Sequence, residues 1–304
     1  ERLETALEQE ALLAEPVPPP MDELAVLHHF CGNTECPNDL QEREPLRMAY
    51  YKAVAELTRA YAGLANELSD AGYSASEANR ITRQRDKALE WRQVIRLAAG
   101  ENLDLKAYEA DMRYLIDSYI EADLPRKISA FDDIGLLELI IKTGVAEAIQ
   151  QQFGKGASNR KAVAETIENN IRRTIISERA NDPAFYDRMS QVLDEIIQFR
   201  KQQAEAYEEY LRRVADLARQ LNQQTADNTP SELDTTGKRA LWSNLNGNLE
   251  LTLRIDSTVR QVRPDGWRGV QTKEQLIKAA LYGVLQDAAE VERLFPILVA
   301  QPEY

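Results

Sequence analysis

The stretch PLRMAYYKAVAELTRAYAGLANEL, residues 45–68, decides the fold class. Leu46, Tyr50, Val54, Leu57, Tyr61, Leu64 and Leu68 follow one another at steps of three or four residues. That spacing puts all seven on one stripe of an α-helix, and no strand can bury the same set on one face. Pro45 suits a helix start, because its missing N–H would have had no intrahelical partner there. Gly72 is the stop expected beyond it.

The pattern repeats outward in both directions. On the N-terminal side, a helix ends at Ala14, and EPVPPP (15–20) forms a stiff extended linker, since proline disfavours helix in the residue before it. MDELAVLHHF then gives a short helix stopped by Gly32. On the C-terminal side, Ser76 is the expected cap of a helix running through Trp91 and Ile95 to Gly100. LDLKAYEADMRYLIDSYIEAD (103–123) is expected to follow, with Met112, Leu115, Ile116 and Tyr119 inward. In ISAFDDIGLLELIIKTG (128–144), Asp132 or Asp133 is the expected N-cap.

FGKGASN (153–159) is the most flexible break and the expected domain boundary. Beyond it, Val163, Ile167, Ile171 and Ile175 define one amphipathic helix. Asp182 and Pro183 start another, lined by Phe185, Met189, Val192, Ile196 and Phe199. Residues 207–221 repeat the pattern, and NQQTADNTPSELDTTG (222–237) is a polar connector. KRALWSNL, LELTLRIDSTVRQV and one last helix from Thr272 to Ala300 complete the chain. The expected architecture is all-α, a multi-helix bundle in two packed helical subdomains. Residues 1–20 form an N-terminal helix and proline-rich linker, 21–153 a helical domain, and 154–304 a C-terminal helical domain.

Composition agrees with this reading. Glycine is scarce, at 13 of 304 residues, and helix formers dominate. No run approaches the roughly 18 apolar residues of a membrane span. The N-terminus is acidic and amphipathic, unlike a secretion signal, and with two cysteines a reduced cytoplasmic setting is expected. The chain does not begin with methionine and is expected to be a piece of a longer protein.

A net charge of −13 argues against a protein that simply coats nucleic acid. The charge is uneven. Residues 1–45 hold eleven acids against two arginines, residues 80–96 six bases against two acids, and residues 155–179 six bases against three. Solvated helix faces account for such runs; a docking surface for a charged partner is the sharper alternative.

All the histidines and cysteines fall in HHFCGNTEC (28–36). On a helix His28 and His29 point about 100° apart, so they do not share one metal easily. His28 and Cys31 share a face, and Cys36 lies past the Gly32 stop. That gives three ligands at most, where a structural zinc site takes four. No metal and no cofactor is expected. With two adjacent histidines, no nucleophile elbow and no phosphate loop, no catalytic constellation is legible. The Asp132–Asp133 pair reads as a helix cap before it reads as an acid/base couple.

What remains is surface chemistry. Asn169, Asn170, Arg172 and Arg173 fall on or beside the polar face of one helix, within the basic stretch that ends at Arg179, and Arg forks with Asn amides suit phosphate or carboxylate recognition. RPDGWRG (263–269) is a turn that sets Trp267 between Arg263 and Arg268, residue types that anchor interfaces. Trp267 folded back over its own helix pair is the alternative. Asn169, Asn170, Arg172, Arg173, Arg179, Trp267 and Arg268 are therefore the partner-binding candidates.

Seven stretches carry a likeness to a known family: ISAFDDIGLLELI (128–140), ETIENNIRRTI (165–175), DPAFYDRMSQVLDEII (182–197), EEYLRRVADLARQ (208–220), TTGKRALWSNL (235–245), RPDGWRGVQTKEQLIKAAL (263–281) and QPEY (301–304). Weaker likeness covers LDLKAYEADMRYLIDSYI (103–120) and LAVLHHFCG (24–32). In this order they resemble the C-terminal helical region of the R subunit (restriction subunit) of type I restriction-modification enzymes. The resemblance implies an all-helical module that braces the DNA-translocating motor and nuclease domains of its own subunit. It also implies docking on the methyltransferase core of M and S subunits, with DNA possible in the complex and no membrane. The family's nuclease carboxylates, nuclease lysine and ATP-binding motifs have no counterpart here, so no catalytic residue carries over and the chain is expected not to be an enzyme by itself. Two other classes stay open: a helical domain that binds duplex DNA directly along 155–179, and a metal-dependent enzyme built on 28–36.

Overall fold

The computed structural model describes residues 2–64, 68, 71–101, 136, 140, 141, 144, 160–203, 206–224 and 229–304. Among these residues the chain is all-α: twelve helices and no strand. They are α1 (Arg2–Ala14), α2 (Glu23–Cys31), α3 (Asp39–Glu42), α4 (Glu44–Ala62), α5 (Ala75–Ala98), α6 (Arg160–Glu178), α7 (Pro183–Gln202), α8 (Tyr207–Gln223), α9 (Thr236–Asn244), α10 (Leu249–Val262), α11 (Gln271–Leu285) and α12 (Ala288–Ala300). The helix expected over 103–123, the Asp132–Asp133 cap and the FGKGASN break lie outside the described residues.

The chain forms two compact units, Glu1–Arg173 and Thr174–Tyr304. A boundary was expected near residue 153; the division instead falls inside α6. The first turns of α6 belong to the first unit because Glu165 and Asn170 bond to α2 and α5, and Arg172 bonds to the loop after α2.

In the first unit, α4 is the helix that the opening stretch foretold. Tyr50, Val54 and Leu57 are buried, and Leu46 and Tyr61 pack beside them. α1 lies along α4, while α2 packs on both α4 and α5. Phe30, Ile81, Trp91 and Ile95 complete the core. Truncating one such residue costs roughly 2–5 kcal/mol. Glu10 fixes α1 in place from within: it accepts from Tyr50 Oη at 3.2 Å and from Gln84 Nε2 at 2.8 Å. The α5 cap is Ser74 where Ser76 was expected. Glu77 stands three residues after Ser74, and the two make a reciprocal capping box.

In the second unit, α7 starts as its sequence dictates, with Asp182 capping Phe185 N and Pro183 in the first turn. α7 packs on α8, and Phe185, Met189, Leu193 and Ile196 of the one and Tyr210, Val214 and Leu217 of the other are buried. Val192 and Phe199, expected inward, are half-buried; Leu193 and Ile197 take the deeper places. α9–α12 surround a second core of Leu241, Ile255, Val259, Trp267, Ile277 and Leu294. The single helix expected from Thr272 to Ala300 is two. Gln286 adopts a left-handed conformation, and Asp287 caps a new start through Ala289 N and Glu290 N.

Candidate functional site

The histidine–cysteine turn is built into the first unit. Asp22 caps α2 by accepting from Ala25 N at 2.9 Å, and Gly32 ends the helix at φ +81°. Only glycine fits there, because a Cβ would lie 2.3 Å from Asp39 Cβ. The two histidines part as their spacing requires. His28 Nε2 lies 2.6 Å from Glu165 Oε2 on α6, and His29 Nε2 lies 3.3 Å from the Leu13 carbonyl. Burial holds the His29 imidazolium below its ordinary range. Cys31 is buried, and burial pushes its thiol up to about 12. Cys36 is exposed. No three such side chains converge as a metal site among the described residues.

Beside this turn runs a buried ionic network that the sequence reading missed. Arg47 points inward from α4. Its Nε donates to Glu101 Oε1 at 2.9 Å, and its Nη1 donates to the carbonyls of Leu40 at 2.8 Å and Phe30 at 3.2 Å. Tyr51 Oη donates to the other Glu101 oxygen at 2.6 Å. Desolvation and the Glu101 charge raise the Tyr51 phenol far above its usual range. One signal was available: Arg47 falls three residues before Tyr50 and seven before Val54, a cation set within the apolar stripe.

The α6 candidates are not an open polar face. Asn169 and Arg172 are each only 3% exposed, and Asn170 is buried too. The Asn170 amide donates to the Leu97 carbonyl at 2.7 Å and the Thr166 carbonyl at 2.8 Å, tying α6 to the end of α5. Gly100 makes room for this, since a Cβ there would sit 3.0 Å from Asn170 Oδ1. Arg172 Nη2 donates to the Thr34 carbonyl at 3.2 Å. The expectation that Asn169, Asn170 and Arg172 present a docking face is thus corrected: their polar groups lie inside the first unit. Arg173 is part-exposed, 3.8 Å from Glu101, and Arg179 is exposed and forked onto Asp187 at 2.7 and 3.3 Å.

No family model, no curated protein and no solved structure matches this chain.

Of the two readings the sequence left open for Trp267, the structure has the ring folded back and not the exposed anchor: it is 2% exposed. The RPDGWRG turn folds back over the chain's last residues. Trp267 Nε1 donates to the Tyr304 carbonyl at 2.8 Å, and its ring meets Phe295 edge-on. Arg268 stacks on Trp267 and donates to the Val299 carbonyl at 2.9 Å and to the Gln301 carbonyl. Arg263 Nη1 bonds the Glu303 carbonyl at 2.6 Å and that of Tyr304. Tyr304 Oη donates to Asp256 at 2.8 Å, which also pairs with Arg260. Glu303 accepts from Thr236 Oγ1 and Gly237 N at the start of α9.

The same unit holds a buried acid. Asp182 accepts from Phe185 N at 3.1 Å and from Asn244 Nδ2 at 2.7 Å, so one carboxylate caps α7 and fastens it to α9. Burial outweighs these bonds and lifts its pKa to about 7. Within each unit, arginines, carboxylates and amides act as cross-links between helices, and satisfied networks of this kind rigidify a core.

Proposed function

We propose that this chain is the C-terminal helical assembly module of the R subunit of a type I restriction enzyme, non-catalytic by itself. It would brace the motor and nuclease domains of its own subunit and dock them on the methyltransferase core of M and S subunits in the cytoplasm. The resemblance in seven ordered stretches is the source of this reading. The observation that carries it further is that two of those stretches, RPDGWRG and QPEY, form one knot. Trp267, Arg263 and Arg268 all bond to carbonyls within residues 299–304. A module whose marker residues hold its own helices together suits a rigid connector. No helix among the described residues is long and apolar enough to cross a membrane.

The test is a pull-down of this chain against reconstituted M and S subunits, with and without DNA. Capture of the core, weakened by Arg179→Glu, is the expected result. Arg179 is 62% exposed, so its reversal leaves the core packing alone. Failure to bind at micromolar concentration would reject the reading.

Direct binding of duplex DNA is the second reading. It is favoured by the exposed Arg80 and Arg83 on α5, three residues apart and so on one side of the helix. It predicts a gel shift whose affinity falls steeply with salt, and no shift at low salt removes it.

A further inference from the structure

Between α1 and α5 lies an open groove of about 620 Å³ whose walls include Ala11, Leu12, Met21, Lys87 and Trp91. Leu12 is 68% exposed and Met21 37%, the apolar side chains most open to water on this face. Lys87, the one cation of the lining, is drawn over the Trp91 ring on the α5 side, its Nζ 4.4 Å from the centroid, while the acids stand on the α1 side. The opposite wall runs acid, apolar pair, acid: Glu8, Ala11 and Leu12 on α1, then Glu15 in the turn that follows, its N–H still bonded to the Ala11 carbonyl at 2.7 Å, so that the four stand at i, i+3, i+4 and i+7. Glu8 and Glu15 are exposed and form no ion pair among the described residues. Glu10, between them, is turned inward onto Tyr50 and Gln84.

An apolar groove rimmed by polar side chains is the kind of surface on which partner chains dock. Its charge selects the occupant. We infer that this groove docks a cationic amphipathic helix of a partner protein, with basic residues seven apart on either side of an apolar pair. Seven residues of helix span about 10.5 Å. A helix lying nearly parallel or antiparallel to α1 would therefore bring its two bases to Glu8 and Glu15 while its apolar pair covers Ala11 and Leu12. The inference stands on this groove alone and does not depend on the reading of the chain as a restriction-subunit module.

A short fluorescein-labelled helical peptide of leucine, alanine and lysine, with lysines seven apart, is the probe, and anisotropy the readout. The expected result is saturable one-to-one binding to the full chain. Leu12→Ser should weaken it about tenfold, the effect of roughly 1.4 kcal/mol. Glu8→Lys with Glu15→Lys should weaken it at least as much and transfer preference to a peptide carrying glutamates in place of lysines. Leu12, Glu8 and Glu15 are exposed, so these variants keep the fold, which circular dichroism checks. Glu232→Lys, an exposed acid of the second unit, should leave binding unchanged. Equal weakening by Glu232→Lys would show attraction to bulk negative charge and overturn the inference, as would no binding or insensitivity to Leu12→Ser. A chain dimer dissolved by Leu12→Ser would assign the groove to a second copy and overturn it too.

Discussion

Arg47 Nε lies 2.9 Å from Glu101 Oε1, and both side chains are withdrawn from water. A pair made inside a protein is costly to halve, because the survivor keeps its desolvation penalty without its partner; the loss is roughly 3–5 kcal/mol. Arg47→Ala should lower the stability of the first unit by about that much, since two carbonyl contacts go with the ion pair. Arg47→Met combined with Glu101→Gln should recover part of it, because the stem volume returns and no charge is stranded. Urea unfolding of the three proteins measures this. A single-variant loss below about 1 kcal/mol, the range of exposed pairs, would contradict the burial.

Trp267 makes a second stability prediction. Trp267→Ala removes a buried aromatic and should cost about 3–5 kcal/mol in the second unit. Trp267→Phe keeps most of the packing and loses the hydrogen bond to the Tyr304 carbonyl, worth about 1 kcal/mol. Thermal unfolding should therefore rank the proteins as wild type, Phe, then Ala. A Trp267→Ala protein as stable as wild type would mean that the RPDGWRG turn does not fasten the 299–304 segment.

These two positions also mark the limit of what a sequence shows. Periodicity located the helices because it is local: Tyr50, Val54 and Leu57 report their shared face within three turns of chain. It also found the Asp182–Pro183 start, where cap chemistry is written in adjacent residues. It failed where burial depends on distant chain. Asn170 meets Leu97 across 73 residues, and Trp267 meets Tyr304 across 37. Nothing near Asn169 or Arg172 distinguishes a polar face turned to water from one turned to α2 and α5. The candidate groove was half legible: the acidic excess of residues 1–45 was plain, but its apolar floor depends on Trp91, more than seventy residues on.

The two cysteines should differ sharply in reactivity. Attack on a disulfide reagent needs an accessible thiolate. Cys31 is buried with its thiol pushed up to about 12, so it is neither accessible nor ionised near neutral pH. Cys36 is exposed. An aromatic disulfide reagent should therefore titrate one fast thiol in the native chain and two in denaturant, and Cys36→Ser should abolish the fast phase. Two fast thiols in the folded protein would place Cys31 outside the core.

Asp182 should give the second unit a pH dependence. Its carboxyl is lifted from 3.8 to about 7 because burial disfavours the charged form. The bonds from Phe185 N, Ser243 and Asn244 and the charge of Arg188 pull the other way and only partly offset it. An acid whose folded pKa lies above its unfolded one binds its proton more tightly when folded. Its contribution to stability is full below about pH 4, declines as the pH rises toward 7, and is gone above that. Asp182→Asn keeps an oxygen to cap Phe185 N and to accept from Asn244, but has no proton to lose. The variant should therefore gain on wild type steadily between pH 4 and 7, by a few kcal/mol in all, and hold a constant advantage above. Urea midpoints for the two proteins across pH 4–8 test this. A difference that does not change with pH would mean that Asp182 titrates like a solvated carboxylate and that its place between α7 and α9 is open to water.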